Sequence, residues 1–301
     1  MRGFAGAVLA KETLGAVARA LQGANIPVMP LKGVLFQLTL YSDPAERQLK
    51  DVDVLVPERR FVEAIDILVQ HGFRPLSAGR SWIEAGLQPQ RGLPLDLHRR
   101  LFCAFRYRLA TDALFARATL DTELLQGTPL WIPHPLDTLA HLVGKFVSDH
   151  IASGAEPFLT ELERWIEHHR LAPELAARHL AAAGMARAAR HVFARGARER
   201  GHPFFEAAAR ALPADNLGRM LVPLAAELAR RGERNALGPL SAHLLNSSLP
   251  RGMTSLGLAA VCALEHARLT RAAGARGGYW APFFAGSSSI DRRSASSARA
   301  L

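Results

Sequence analysis

Apolar positions follow two different periods in the first hundred residues. In residues 1–22 they recur every three or four positions, which predicts a helix ending at Gly23. The apolar run 26–31 predicts a short buried strand, and residues 34–41 predict a second helix. Residues 51–56 alternate strictly instead, and alternation of this kind is typical of a strand with one buried face.

The alternating segment separates apolar from acidic side chains. Val52, Val54 and Val56 share one face, whereas Asp51 and Asp53 lie on the other. We therefore expect the valine face to pack against a layer of helices.

A helix and two more strands are predicted before residue 100. Residues 57–72 carry a helical apolar stripe that ends at a glycine, and segments 81–87 and 93–99 are predicted strands joined by a turn. In the second strand the leucines share one side, while Asp96 and His98 share the other. The first hundred residues thus predict a small unit of helices and a few strands.

From about Tyr107 onward the strand signal disappears. Ala-, Leu- and Arg-rich helical stretches continue to Arg271, and a Gly-, Ser- and Arg-rich tail follows. The predicted domains are residues 1–106, a helical domain at 107–271 and a disordered tail at 272–301.

Composition limits the class of protein. Of 301 residues, 49% are hydrophobic and 21% charged, which allows a sizeable core. The only cysteines are Cys103 and Cys262, so a disulfide scaffold and a Cys-rich zinc site are excluded. No run approaches the roughly 20 uncharged residues of a membrane span, and the first residues predict an amphipathic helix rather than a signal peptide. We therefore expect a cytoplasmic protein with no membrane partner.

The charge is basic and spread along the chain. Lys and Arg number 37 against 27 Asp and Glu, a net charge of +10. Such a field favours nucleotides, nucleic acid or acidic proteins as partners without choosing among them. There is no P-loop and no dinucleotide-binding glycine motif, which disfavours those two classes of nucleotide-binding enzyme.

The acidic pair is the strongest chemical signal. Two carboxylates two residues apart on one strand face lie about 6–7 Å from each other, and when buried they need water or a cation beside them. Oxygen ligands of this kind suit Mg²⁺. A third carboxylate, Asp96 on its own strand, would complete a two-metal site with Asp51 and Asp53. The same pattern also occurs at exposed strand edges, where it has no chemical role.

A longer series of residues resembles a known family. It runs Leu31-Lys32-Gly33, Tyr41, Arg47, Asp51-Val52-Asp53 and Leu95-Asp96-Leu97-His98. This order resembles the uncharacterised nucleotidyltransferase family, part of the polymerase-β-like nucleotidyltransferase superfamily, over roughly residues 25–170. The resemblance implies an α+β fold, in which a small mixed sheet with helices is followed by an all-helical domain.

The resemblance also implies roles for individual residues. Asp51 and Asp53 would ligate Mg²⁺ or Mn²⁺ bridging a nucleoside triphosphate (NTP), and Asp96 would share a metal and draw the proton from the acceptor. Gly33 would let backbone N–H groups approach the phosphates. Lys32, also expected at the nucleotide, departs from the superfamily's usual Gly-Ser or Gly-Gly pair.

Three other side chains have two interpretations each. Arg47 would pair with a phosphate, or it would hold the loop of the acidic pair by a bidentate contact. His98 would orient Asp96 or simply cap its strand. Lys145, in one helical stripe with Asp137 and His141, would neutralise triphosphate charge, or the stripe would be a solvated helix face.

The leading hypothesis is a metal-dependent nucleotidyltransferase. It would move a nucleoside monophosphate from an NTP onto a hydroxyl of a small molecule, a peptide or protein, or an RNA, and release pyrophosphate. The alternative is a catalytically weak nucleotide- or RNA-binding protein of the same fold. A third hypothesis is an interaction protein, such as the enzymatic half of a toxin–antitoxin pair or of a peptide-modification cluster.

Overall fold

A computed structural model describes residues 2–80, 83–149, 156–231 and 242–272. Residues 81 and 82 of one predicted strand, and the predicted tail from residue 273 onward, lie outside the described residues. Within the described ranges, no helix is both long and apolar enough to cross a lipid bilayer.

Helices dominate the described part of the chain. The α-helices are α1 (Arg2–Gln22), α2 (Lys32–Thr39), α3 (Phe61–Gln70), α4 (Thr111–Arg117), α5 (Pro135–Asp149), α6 (Glu156–His168), α7 (Pro173–Ala182), α8 (Ala186–Arg200), α9 (Pro203–Ala211), α10 (Gly218–Arg231) and α11 (Leu249–Ala272). The strands are β1 (Met29–Pro30), β2 (Val52–Leu55), β3 (Arg74–Arg80), β4 (Glu84–Gln88), β5 (Leu95–His98), β6 (Thr119–Asp121) and β7 (Leu130–Ile132). Two 3₁₀ helices span Glu58–Arg60 and Ala242–Leu245.

The first five strands form one mixed sheet in the order β1-β2-β5-β4-β3. Strands β2 and β5 are parallel, and the other neighbours are antiparallel. In the parallel pair Asp53 lies directly opposite Asp96. This sheet, followed by helices, confirms the predicted α+β fold.

The two faces of the sheet belong to different cores. The valine face of β2 packs in a cluster that includes α1 and α3, as the alternation predicts. Leu55, on the opposite face, belongs to a larger cluster formed with α2 and with helices α5 to α9. The acidic residues of β2 and β5 therefore point to the side of the sheet that the later helices cover.

The strand prediction was wrong in two places. No strand was predicted after Tyr107, yet β6 and β7 pair with each other, and the Trp131 amide donates to the Val28 carbonyl at 2.8 Å beside the main sheet. Strands of three residues are too short to display a period of two. Strand β3 was also missed, because its Pro, Gly, Ser and Arg content is poor for a strand interior and is tolerated at a sheet edge.

An aromatic contact joins the first helices to the later ones. Phe36 of α2 and Trp165 of α6 are almost fully buried, and their ring centroids are 5.1 Å apart. The Trp165 indole donates to the Pro135 carbonyl at 3.0 Å, which fixes the ring against α5. The pair thus holds together segments that are distant in sequence.

We expect Phe36→Ala to lower the free energy of unfolding by about 3–5 kcal/mol, because it leaves a cavity in a closed core. Phe4→Ala is the matched control, since Phe4 is 57% exposed and its loss should change stability by less than about 0.5 kcal/mol. Urea unfolding of both variants measures the difference. An equal change in unfolding free energy for both variants would show that the Phe36 ring does not stabilise the packing of α2 against α6.

Candidate active site

A cavity of about 460 Å³ opens in front of β2 and β5. It is lined by every site residue predicted from the sequence: Asp51, Asp53, Asp96, Lys32, Gly33, Arg47 and Lys145. Asp53 and Asp96 lie in β2 and β5 and Asp51 just before β2, while the start of α2 provides Lys32 and Gly33 and α5 provides Lys145. The fold thus brings four segments of the chain to one space.

Asp53 is the most buried of the three aspartates that line the cavity, at 9% exposed. Lys32 Nζ donates to its Oδ1 at 3.1 Å, and His98 Nε2 lies 2.8 Å from the same oxygen. Burial alone would raise the pKa of Asp53, but the charges and hydrogen bonds of Lys32 and His98 outweigh it and hold this pKa well below its usual range. Asp53 is therefore ionised at neutral pH.

His98 touches a different carboxylate from the one expected. Its Nε2 contacts Asp53 rather than Asp96, and its Nδ1 lies 3.2 Å from Glu84 Oε2. The prediction that it orients Asp96 was wrong because the parallel register places Asp53 diagonally across from it. The histidine bridges two acids, one on each neighbouring strand.

Asp51 and Asp96 have less compensation than Asp53. Burial raises the pKa of Asp51, and the nearby Asp53 raises it further. Burial also raises the pKa of Asp96 to about 6, and Glu84 is the strongest of the like charges that add to the rise. A carboxylate whose pKa is raised by its neighbours gains from a cation placed beside it.

The carboxylate oxygens of the three aspartates are suitable ligands for a divalent cation. Asp51, Asp53 and Asp96 offer only oxygen ligands, which Mg²⁺ and Mn²⁺ prefer, and burial together with neighbouring carboxylates raises the pKa of Asp51 and of Asp96. Among the described residues, however, no three His, Cys, Asp or Glu side chains are arranged as a ready-made metal site. The three carboxylates line one cavity, but their oxygens do not converge on a single metal position.

The start of α2 is tightly constrained. Lys32 has a φ of +38°, a left-handed conformation that is unfavourable for a residue with a side chain. A Cβ on Gly33 would overlap Nη1 of Arg47 and come within 2.9 Å of Leu49 Cδ2. Glycine is therefore required here for the Arg47 side chain to pass, whereas its contact with phosphates stays a prediction.

Arg47 pairs with a residue that the sequence analysis did not consider. Its guanidinium makes a two-point contact with Glu161 of α6, with Nε 2.5 Å from Oε1 and Nη2 3.3 Å from Oε2. The two-point carboxylate contact considered for Arg47 is present, but its partner is Glu161 of α6, 114 residues further along the chain, rather than an aspartate of the acidic pair. A phosphate contact at the cavity side stays a prediction.

The polar stripe of α5 is not solvated. Asp137 and His141 are 1% and 4% exposed, and Lys145 lines the cavity. Asp137 accepts two hydrogen bonds from Arg117, at 2.8 and 2.9 Å, and lies 2.9 Å from His179 Nε2. The stripe thus has an anchoring half at Asp137 and a cavity-facing half at Lys145.

Sequence reasoning missed three residues of the site. Glu84 and Arg106 line the cavity, and Glu161 holds Arg47. Glu84 had a signal, because it alternates with apolar neighbours in a predicted strand. The other two had none, since their place depends on a loop path and on helix packing.

We expect Asp137→Asn to lower the free energy of unfolding by about 2 kcal/mol at pH 7, because a buried charged hydrogen-bond acceptor is lost. Burial opposes ionisation of Asp137, but His179 and Arg117 outweigh it and lower its pKa. Its stabilisation is therefore present above about pH 4 and is lost as pH falls through the lowered pKa. Denaturant unfolding at pH 7 and pH 3 measures the difference in stability between wild type and variant, which should be smaller at pH 3.

Asp112→Asn serves as the control, since that carboxylate is exposed on the neighbouring α4. A deficit of the Asp137 variant that stays constant between the two pH values would contradict the interpretation.

A family model and two solved structures were found to be similar to this chain. The family model described as uncharacterised nucleotidyltransferase matches residues 5–160, just over half of the chain. Two solved structures are similar to parts of the chain. The antibiotic-resistance factor ANT(2'')-Ia shares 15% identity over 56% of this chain and 89% of its own, with a TM-score of 0.41. An antigenic nucleotidyltransferase-like protein from Paracoccidioides brasiliensis shares 16% identity over 68% and 94%, with a TM-score of 0.42.

The search among curated proteins gave no match. The family match covers α1, the whole five-stranded sheet and α5, and so includes the cavity. The chain belongs to the uncharacterised nucleotidyltransferase family and is a nucleotidyltransferase.

Proposed function

We propose that the protein transfers a nucleoside monophosphate from an NTP to an acceptor hydroxyl and releases pyrophosphate. The observation that supports this most directly is the shared cavity of Asp51, Asp53 and Asp96, with Lys32 and Lys145 in its wall. Acids that can hold a metal beside cations that can meet phosphates are what this chemistry needs.

Nucleotidyltransferases generally use divalent metal ions, and the three aspartates are the residues that would hold Mg²⁺ or Mn²⁺ here. When bound, the metal would neutralise the triphosphate and favour attack by the hydroxyl and departure of pyrophosphate. The oxygen donors and the raised pKa values of Asp51 and Asp96 support this assignment.

The chain's own groups have separate tasks in the proposed reaction. The acceptor oxygen forms a bond to the α-phosphorus as the bond to the pyrophosphate oxygen breaks, and the acceptor proton passes to a carboxylate oxygen of Asp96. Burial and the charge of Glu84 raise the pKa of Asp96 to about 6, so its carboxylate is more basic than that of an ordinary aspartate. Lys32 and Lys145 would offset the triphosphate charge.

The cavity also supports the predicted division near residue 106. Strands supply one wall, whereas His141, Lys145 and Ser148 of α5 supply another. An acceptor entering between the two walls would contact the loop after β5 as well as α5. We therefore place acceptor specificity in the segment from 101 to 106 and in α5.

We expect Asp51→Asn combined with Asp53→Asn, and separately Asp96→Asn, to lower turnover by on the order of 10²–10³-fold. The assay follows transfer of α-³²P label from each NTP to candidate acceptors with Mg²⁺ or Mn²⁺. Asp112→Asn is the matched control and should keep the wild-type rate. Transfer that survives the double substitution would overturn the proposed mechanism.

The second candidate is a nucleotide- or RNA-binding protein with little catalysis. One observation favours it: the ammonium of Lys32 and the imidazole of His98 both contact Oδ1 of Asp53, one of the two oxygens that this residue could offer to a metal. A rise in melting temperature with NTP, independent of Mg²⁺ and without turnover, would support this candidate over the first.

A further inference from the structure

The loop after β5 carries an arginine into the interior. Phe105 has a φ of +64°, a left-handed turn that redirects the chain just before Arg106. The Arg106 amide donates to the Cys103 carbonyl at 3.2 Å, and the Asn246 side-chain amide donates to the Arg106 carbonyl. The Arg108 amide donates to the Ala183 carbonyl at 2.8 Å, so the loop is tied to the helical region.

The guanidinium of Arg106 is buried with a positive charge that the described residues leave uncompensated. The residue is 6% exposed, and its Nε and Nη2 have no hydrogen-bond partner among the described residues. The faces of two rings accompany it, with centroids 5.7 Å away for Phe102 and 5.2 Å away for Tyr107. A buried cation without an anionic partner is costly in a folded protein.

Arg187 shows how the same chain treats another buried arginine. It is 3% exposed, and its guanidinium donates twice to Asp215, at 2.7 and 3.1 Å. It also donates to the backbone carbonyls of Leu244 and Asn246. Each nitrogen of the Arg187 guanidinium thus has an acceptor, whereas Nε and Nη2 of Arg106 have none within the described ranges.

Arg106 lines two cavities at once. It borders the 460 Å³ cavity that holds the aspartates, and it also borders a second cavity of about 130 Å³. Tyr107, whose buried hydroxyl likewise has no partner in the described part of the chain, borders the smaller one. A ligand bound by Arg106 would therefore reach the aspartates through the larger cavity and extend into the smaller one.

The cations of the large cavity come from different elements. Lys32 lies at the start of α2 and Lys145 lies on α5, and these two are assigned to the triphosphate. Arg106 enters instead from the loop after β5, beside the rings of Phe102 and Tyr107. The two sets of cations can therefore meet different ligands in one cavity.

We propose that Arg106 binds an anionic group of the acceptor, a phosphate or a carboxylate, and that the acceptor is a small anionic molecule with a hydroxyl. This inference rests on the proposed function, because the NTP is taken to lie beside Lys32 and Lys145. The guanidinium of Arg106 lines the cavity, and its planar set of N–H donors matches either oxyanion.

Binding by the full-length protein tests this without knowledge of the acceptor. The probes are inorganic phosphate and acetate, titrated at constant ionic strength by calorimetry with and without a saturating α,β-methylene NTP analogue. We expect at least one probe to bind equally well in both conditions. Arg106→Gln should weaken that binding by about tenfold or more and change the affinity for the analogue by less than about twofold.

Two further variants separate binding from structure. Arg106→Lys should retain part of the probe binding, and Arg59→Gln, an exposed arginine that borders neither cavity, should bind like wild type. The ligand-free melting temperature of Arg106→Gln should not fall, because the substitution removes a buried charge without breaking a pair. A fall of about 5 °C or more would instead show a structural role and overturn the proposal.

Competition between probe and analogue, or loss of analogue binding in Arg106→Gln, would place the arginine at the triphosphate and overturn the proposal. Probe binding that Arg106→Gln leaves unchanged would also overturn it. None of these results depends on the aspartates, whose substitution tests the proposed reaction separately.

Discussion

The parallel pairing of β2 with β5 determines the position of almost everything else in the site. Because these strands are far apart in sequence and run in the same direction, a helix and a hairpin must lie between them in the chain. Their register places Asp53 opposite Asp96 and leaves Asp51 just before β2. A shift of one residue would turn the acids into the valine core and the valines toward the cavity. Burial of the valine face therefore determines that the acidic face of β2 is directed toward the cavity.

The three acids have unequal surroundings although they share a cavity. Asp53 is held between an ammonium and an imidazole, whereas Asp51 and Asp96 face like charge. This inequality assigns different chemistry to side chains of the same type, because environment sets which carboxylate stays ionised and which can exchange a proton. The left-handed conformation of Lys32 belongs to the same arrangement, since its ion pair with Asp53 helps to hold an unfavourable backbone in place.

Sequence patterns predicted the acidic strands well and the tertiary partners poorly. Alternation at 51–56 and at 93–98 is a local property, so the faces of Asp53 and Asp96 follow from the order of the residues alone. The partner of His98 depends on strand register, and that of Arg47 depends on how α6 packs. Neither of these two contacts can be predicted from the local pattern of residues. Arg106 was invisible for a related reason, because only the path of its loop shows that an ordinary arginine is buried.

The contact between Arg47 and Glu161 crosses 114 residues of chain, and it closes one side of the cavity. All three aspartates precede residue 106, so a fragment that stops there would contain the whole acidic motif and still lack a wall. Assembly of the pocket must therefore wait until the later helices dock, which makes it a late event of folding rather than a property of the sheet. Loosening of that docking would open the pocket before it melted the strands.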